Sequence, residues 1–355
     1  MTERRESLIK RVDAELAAFL EGRAQAFATL GQDLVPVSDA ARAMVLDGGK
    51  RLRPSFAYWG WRTVCGPEDD DRALITAAAS LELLHACALV HDDVIDASDT
   101  RRGRPAAHAA FARMHRDHGW TGNAEAFGAS AAILLGDLLL SWADAMFTSA
   151  GLASRVSAHT RGVYDEMRQL VMAGQYLDVL AQARGAFSAE EALRVIEFKT
   201  SKYTVEGPLH LGAAAAGAPP AVFAALTGYG LALGEAFQLR DDVLGVFGDP
   251  SVTGKPAGDD LREGKHTLLT ALAMDAASAE QSALLHRSLG DRGLDDDQIA
   301  RLREVIVATG ALDQVERRIV ERAEEARTAL AAPALSDDSR RALDALARAA
   351  TERHA

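Results

Sequence analysis

The sequence predicts an all-α protein: one large helical bundle around a deep central cavity. Three observations lead there. Apolar residues recur at helical spacing along nearly the whole chain, and no stretch keeps the strict alternation of a half-buried strand. Helix start and stop signals punctuate it, among them Ser188-Ala189-Glu190-Glu191, Pro219-Pro220 and Pro333. Polar clusters able to carry chemistry are spread from Gly48 to Lys265, with no low-complexity linker between them. That spread suits helices surrounding one cavity. The 355 residues are enough for a single large domain, 1–355.

The elements follow in order. A charged amphipathic stretch opens the chain, without an apolar signal core. Leu81, Leu84, His85, Ala88, Asp92 and Asp96 fall on one stripe of a helix. Loops are expected at 66–71, 102–105, 118–123 and 247–264, where Gly, Pro, Asn and Asp cluster. The most apolar stretch, Ala129 to Phe147, contains Asp137 and Asp144 and is interrupted too often to span a bilayer. It is expected to be a buried helix. The Ser188 capping box opens a helix running through Phe198-Lys199-Thr200, which Gly207-Pro208 should kink or interrupt. Another helix follows Pro219-Pro220 and should end near Gly245, and charged, alanine-rich helices fill the chain from Leu294 onward.

A net charge of −12 argues against nucleic acid, because no basic excess exists to replace phosphate counterions. The local basic runs Lys50-Arg51-Leu52-Arg53 and Arg101-Arg102-Gly103-Arg104 suit a small anion instead. Cys65 and Cys87 are the only cysteines and form no metal-type spacing, so a reducing cytoplasm is the expected setting. His108, His115 and His118 lack the cysteines and tight register of a zinc site. Gly248 to Lys255 resembles a P-loop only superficially, since Pro256 stands where a Ser or Thr is needed.

One acidic cluster occurs twice, about 150 residues apart: His91-Asp92-Asp93-Val94-Ile95-Asp96 and Gln238-Leu239-Arg240-Asp241-Asp242-Val243-Leu244. Asp92 and Asp96 share a helix face, where two like charges cost a few tenths of a kcal/mol unless a cation sits between them. Carboxylate oxygens with little nitrogen or sulphur nearby suit Mg²⁺ before Zn²⁺. Mg²⁺ takes one or two carboxylates and completes its shell with waters and substrate phosphates. Arg101-Arg102 follow the first cluster, and Lys255 and Lys265 follow the second. The pattern reads as a metal-bridged diphosphate site.

With Gly48-Gly49-Lys50-Arg51-Leu52-Arg53-Pro54 added, the chain resembles the trans-isoprenyl diphosphate synthases, or polyprenyl synthetases, over roughly Gly48 to Thr267. Within that family it looks most like the bacterial geranylgeranyl diphosphate synthases. The resemblance implies the isoprenoid synthase type of all-α fold, a homodimer, and aspartate motifs facing each other near the cavity mouth. It implies that Lys50, Arg53 and His85 hold the diphosphate of isopentenyl diphosphate, with Arg102 assisting. Asp92 and Asp96 would bind Mg²⁺, supported by Asp93. Asp241, with Asp242 beside it, would hold a further Mg²⁺. Arg101, Lys199 and Lys255 would grip the allylic diphosphate (dimethylallyl, geranyl or farnesyl). Thr200 and Gln238 would sit beside the reacting carbons, Lys265 would close over the site, and Gln175 and Asp178 would line the cavity. The third aspartate of the family's second motif is replaced by Gly245. If Asp241 alone suffices there, Gly245→Asp should change activity little.

The resemblance also places product-length control on the helix before Asp92. Cys87 and Ala88 occupy the level where aromatic residues stop growth at C15 in the family, and neither is aromatic. Leu84, a turn deeper, would form the floor, so geranylgeranyl diphosphate is the expected product, ahead of farnesyl or longer chains. A terpene cyclase would need a second motif of Asn, Ser and Glu, and Asn123 is the sole asparagine. A non-catalytic modifier subunit would be expected to lose an aspartate motif, and Gly245 is the one departure in that direction.

Overall fold

The structure, a computed structural model, describes residues 2–185, 187–249 and 258–351. It is all-α among those residues apart from one β-ribbon of two two-residue strands. The chain packs into two compact units, residues 1–58 with 65–157 and residues 59–64 with 158–355.

The first unit contains α1 (Thr2–Leu30), α2 (Val35–Leu46), most of α3 (Leu52–Trp61), α4 (Arg72–Ile95), α5 (Ala107–Asp117) and α6 (Ala124–Ser149). Its core is α4, which packs along α6 and buries Leu81, Leu83, Leu84, Cys87 and Val90. Gly136 of α6 permits this approach: a Cβ there would lie 2.1 Å from the Nε2 of His91. Asn123 caps α6 by accepting from the Ala126 N–H at 2.8 Å.

The expectation that α6 is wholly buried is corrected. Leu135, Leu139 and Trp142 are buried, but Ile133 is 46% and Leu134 67% exposed. Hydropathy averages around a helix, whereas burial is decided by the partners, here mainly α4 and α5. By length and composition alone, α4, α6 and Pro220–Phe247 are long and apolar enough to cross a membrane. The Arg102–Pro105 segment is also not a plain loop. Thr100–Arg101 and Arg104–Pro105, β1 and β2, pair antiparallel around Arg102-Gly103. Both turn residues have positive φ, 53° and 72°, as a tight hairpin turn with right-handed strand twist requires.

The second unit contains nearly all of α7 (Ser154–Arg184), then α8 (Ala189–Val195), a π-helical segment Ile196–Glu206, α9 (Gly207–Ala215) and α10 (Pro220–Phe247). After α10 come α11 (Asp259–Glu263), α12 (Leu268–Ala276), α13 (Ala279–Ser288), α14 (Asp296–Ala308), α15 (Ala311–Ala329) and α16 (Asp337–Thr351). The Ser188–Glu191 capping box forms as the sequence predicts. The expected kink at Gly207-Pro208 takes another form. Winding loosens to π through the residues before Pro208, whose ring removes a donor and crowds the carbonyl four residues back. Against that wide segment packs α10, with Gly230 and Gly234 at the contact. A Cβ on Gly234 would lie 2.4 Å from the Ser201 Cα, and one on Gly230 would lie 2.8 Å from that of Glu206. Helix α10 runs to Phe247, two residues past the expected end, and α11 lies within the expected 247–264 loop.

Candidate active site

In the first unit the basic turn 48–53 is built around a side chain the sequence left unassigned. Arg51 is 4% exposed; its Nε donates to Asp13 Oδ1 at 2.7 Å and its Nη1 to Glu82 Oε2 at 2.9 Å. Its backbone sits in the left-handed region at φ 49°, after Gly48 and Gly49 at 92° and 109°. Non-glycine residues persist there only when their surroundings over-determine the conformation. Turning Arg51 inward leaves its neighbour Lys50 exposed, with Arg53 half-buried at the start of α3.

Four guanidiniums, those of Arg53, Arg102, Arg101 and Arg51, act on His85. Burial first, and then these four positive charges, hold its imidazole well below the usual histidine range, so the ring is neutral. Arg102 donates to the Asp47 carbonyl at 3.2 Å and lies against Gly48 and Gly49. The hairpin, the glycine turn and α4 thus bring Arg53, His85, Arg101 and Arg102 together, with Lys50 adjoining. That is a pocket of fixed positive charge for an anion.

Asp92, Asp93 and Asp96 occupy the C-terminal end of α4, where Asp96 is the cap and donates its N–H to the Asp92 carbonyl at 2.8 Å. The negative end of the helix dipole makes this an unfavourable place for carboxylates unless a cation compensates. The three differ in role. Asp93 is fully buried, and Arg101 Nε donates to its Oδ1 at 2.9 Å. Burial raises the Asp93 pKa, with Arg101 opposing. Asp92 and Asp96 remain half-buried, and Arg101 Nη2 stands 3.7 Å from Asp92.

The second unit repeats the arrangement at the C-terminal end of α10. Asp242 is buried, and Gln238 Nε2 donates to its Oδ1 at 2.8 Å. Burial lifts its pKa to about 7, helped by the charges of Asp260 and Asp241 and opposed by the Gln238 hydrogen bond. Asp241 stays half-buried. The Gln238 Oε1 in turn accepts from Thr200 Oγ1 at 2.6 Å. Gly230, Gly234 and Gln238 are spaced i, i+4, i+8, so the glycine seam that admits the π segment also sets Gln238 against Thr200. Lys199 Nζ donates to Asp178 Oδ2 at 2.8 Å, and Gly174 makes room for the Lys199 backbone, 2.6 Å from where its Cβ would be. Lys265 donates to Asp260 Oδ1 at 3.1 Å and pairs with Glu263 at 2.9 Å. Burial lowers the Lys265 pKa, but the two carboxylates outweigh it and leave it well above the usual value. The expected contact Lys255 lies outside the described residues.

Gly245, where the family's third aspartate is missing, lies against the Asp260 carboxylate. A Cβ on Gly245 would stand 1.8 Å from Asp260 Oδ2 and 2.4 Å from its Cγ, so any side chain must displace Asp260. Among the described residues no group of three or more His, Cys, Asp or Glu is placed to hold a metal by itself. Carboxylates offered in ones and twos at the negative ends of two helices fit Mg²⁺, which draws its remaining oxygens from water and phosphate.

Residues 36–306 match the family described as polyprenyl synthetase. The chain belongs to this family of trans-prenyl diphosphate synthases. It is 34% identical over 314 residues to the geranylfarnesyl diphosphate synthase of Aeropyrum pernix, covering 87% of this chain and 92% of that one. It is 34% identical over 301 residues to the octaprenyl diphosphate synthase of Escherichia coli, covering 85% of each. Among solved structures it is similar to the geranylgeranyl pyrophosphate synthase of Corynebacterium glutamicum, crystallised with isoprenyl diphosphate and magnesium. That likeness has a TM-score of 0.94 and 42% identity, and covers 98% of this chain and 99% of that one. The family match spans parts of both compact units.

What sequence reasoning missed are the residues behind the site: Asp13, Glu82, Arg51 as an inward strut, and Asp260. Only Asp260 carried a signal, as half of an acidic doublet after Gly258.

Proposed function

We propose that this chain is a Mg²⁺-dependent trans-prenyltransferase, one catalytic domain over 1–355. It condenses isopentenyl diphosphate with an allylic diphosphate, with geranylgeranyl diphosphate as the main product. The observation that carries the reading is the neutral His85 beside Arg53 and Arg102, on the same helix as the Asp92/Asp96 pair. Fixed cations of that kind hold the diphosphate of the nucleophilic substrate, and a neutral imidazole adds a hydrogen bond without further charge. Mg²⁺, when bound at the aspartates, would neutralise the charge growing on the allylic leaving diphosphate.

Lys199 would grip that diphosphate and Lys265 would close over the site, each held by a carboxylate partner. Thr200 and Gln238, fixed by their mutual hydrogen bond, would present their oxygen atoms to the developing allylic cation. The double bond of isopentenyl diphosphate attacks that cation, and the departed diphosphate is the base for the proton lost. Water, which would quench the cation, must be kept out while it exists. Alignment of two substrates supplies much of the remaining acceleration.

The C20 product is supported by Cys87 and Ala88, which put no aromatic ring at the level above Leu84, and by Leu84 itself, buried at 2% exposure. Relatives span farnesyl, geranylfarnesyl and octaprenyl products, so a different stop length is the alternative. The exposed Ile133 and Leu134 support a homodimer, and two free cysteines suit the cytoplasm.

The purified chain, given Mg²⁺, labelled isopentenyl diphosphate and each allylic primer, should yield C20 alcohol after dephosphorylation. Absence of incorporation with every primer would overturn the prenyltransferase reading. Activity appearing only on mixing with a partner synthase would favour a modifier subunit.

A further inference from the structure

The turn that presents Lys50 and Arg53 is tied from behind by two carboxylates. Arg51 Nε donates to Asp13 Oδ1 at 2.7 Å and its Nη1 to Glu82 Oε2 at 2.9 Å, and Arg51 and Glu82 are both buried. The Arg51 backbone is committed as well. Its carbonyl accepts from the Ser55 N–H at 3.1 Å and from Ser55 Oγ at 2.7 Å, so α3 starts from it. A φ of 49° is costly for a side chain of this size, and the two carboxylates are what hold the guanidinium inside. Glu82, one turn before His85 on α4, also supplies the strongest charge acting on Arg102. Asp13 belongs to α1, which lies before the family match begins at residue 36. The register of α1 is set by its buried stripe Leu8, Val12, Leu16 and Leu20, and by ties to the start of α4. There Arg11 donates to Asp71 at 2.9 Å and Thr76 to Glu15 at 3.1 Å.

We propose that Asp13 and Glu82 are positioning residues for the isopentenyl diphosphate pocket, acting through Arg51. This rests on the reading of Lys50, Arg53, His85 and Arg102 as the seat of that diphosphate. The two carboxylates act at one remove from the substrate. Together they fix the Arg51 guanidinium, the guanidinium fixes the turn, and the turn sets where Lys50 and the first residues of α3 point. The charges of Arg51 and Arg102 repel each other, and Glu82 is the counter-charge between them. A turn already held in place needs no reordering when the anion arrives, which is how preorganisation adds to affinity. The effect falls on one substrate, because Lys199, expected on the allylic diphosphate, is held by Asp178.

The test is steady-state kinetics of the full chain with Mg²⁺, varying isopentenyl diphosphate and the allylic primer separately. Asp13→Ala and Glu82→Gln should each raise KM for isopentenyl diphosphate roughly tenfold or more, as expected when a binding group shifts by about 1 Å. KM for the allylic primer should stay within about twofold of wild type, since its grip lies elsewhere. In an Arg51→Met background Asp13→Ala should add nothing, because both losses act through one guanidinium. A further rise there would overturn action through Arg51. Wild-type KM for isopentenyl diphosphate in either single variant, even with a lower urea midpoint, would leave that ion pair structural and overturn the proposal. An equal rise in both KM values would overturn it too. If Glu82→Gln or Arg51→Met fails to fold, Asp13→Ala still decides, since the Asp13 side chain is 43% exposed. Unchanged KM for isopentenyl diphosphate in Lys50→Gln and Arg53→Gln would instead overturn the underlying reading of the pocket.

Discussion

Thr200 Oγ1 donates to Gln238 Oε1 at 2.6 Å, and Gln238 Nε2 donates to Asp242 Oδ1 at 2.8 Å, so one amide spans from the π segment to a buried acid. Both ends of the amide are committed, which fixes its orientation. Gln238→Leu removes the acceptor and the donor together and leaves Asp242 buried without this partner. Such a loss costs roughly 1–3 kcal/mol. The variant should lose stability by that amount in urea unfolding and lose most of kcat. Unchanged kcat would show that the chain Thr200–Gln238–Asp242 is architectural only.

Asp92→Ala and Asp96→Ala should each abolish turnover while leaving the helix intact. Removing either relieves repulsion at the negative end of α4, so stability should hold or rise by a few tenths of a kcal/mol. Circular dichroism together with the labelled-product assay checks both halves. Near-normal activity in either variant would remove it from the metal site.

Product length should respond to the α4 face beneath Asp92. Ala88→Phe should raise the floor by about one turn, roughly 5 Å, and shift products toward C15. Leu84→Ala should lengthen them, at a stability cost of about 2–5 kcal/mol because Leu84 is buried. Product sizing of both variants at a temperature where they stay folded is the measurement. An unmoved spectrum in Ala88→Phe would place the floor elsewhere.

His85 carries a pH signature. Its folded pKa lies well below the usual 6.5, so below pH 6.5 the unfolded chain takes up a proton that the folded state does not. Stability therefore falls as pH drops through 6.5, with a slope approaching 1.4 kcal/mol per pH unit from this group. His85→Gln should flatten that part of the pH–stability curve between pH 7 and 5. Equal slopes in variant and wild type would mean that the imidazole charges normally in the folded protein.

Much of this protein was legible in one dimension because its signals are local. Helical spacing, the Ser188 capping box and the two proline breaks depend on residues within a turn or two of each other, and the structure places helices there. The repeated acidic cluster with its basic neighbours was equally visible, since a helix end presents its charges in sequence order. What the tertiary structure decided are relations between distant residues. Arg51 looked like one charge in a basic run, yet Asp13 and Glu82 draw it inside and set the strained turn beside Lys50. Helix α6 looked buried from its composition, but α4 and α5 cover only part of it. Gly245 looked like a missing ligand, yet the carboxylate of Asp260 fills the space a side chain there would need. No periodicity encodes such a meeting, because two side chains exclude or complement each other only once packing has brought their helices within van der Waals reach.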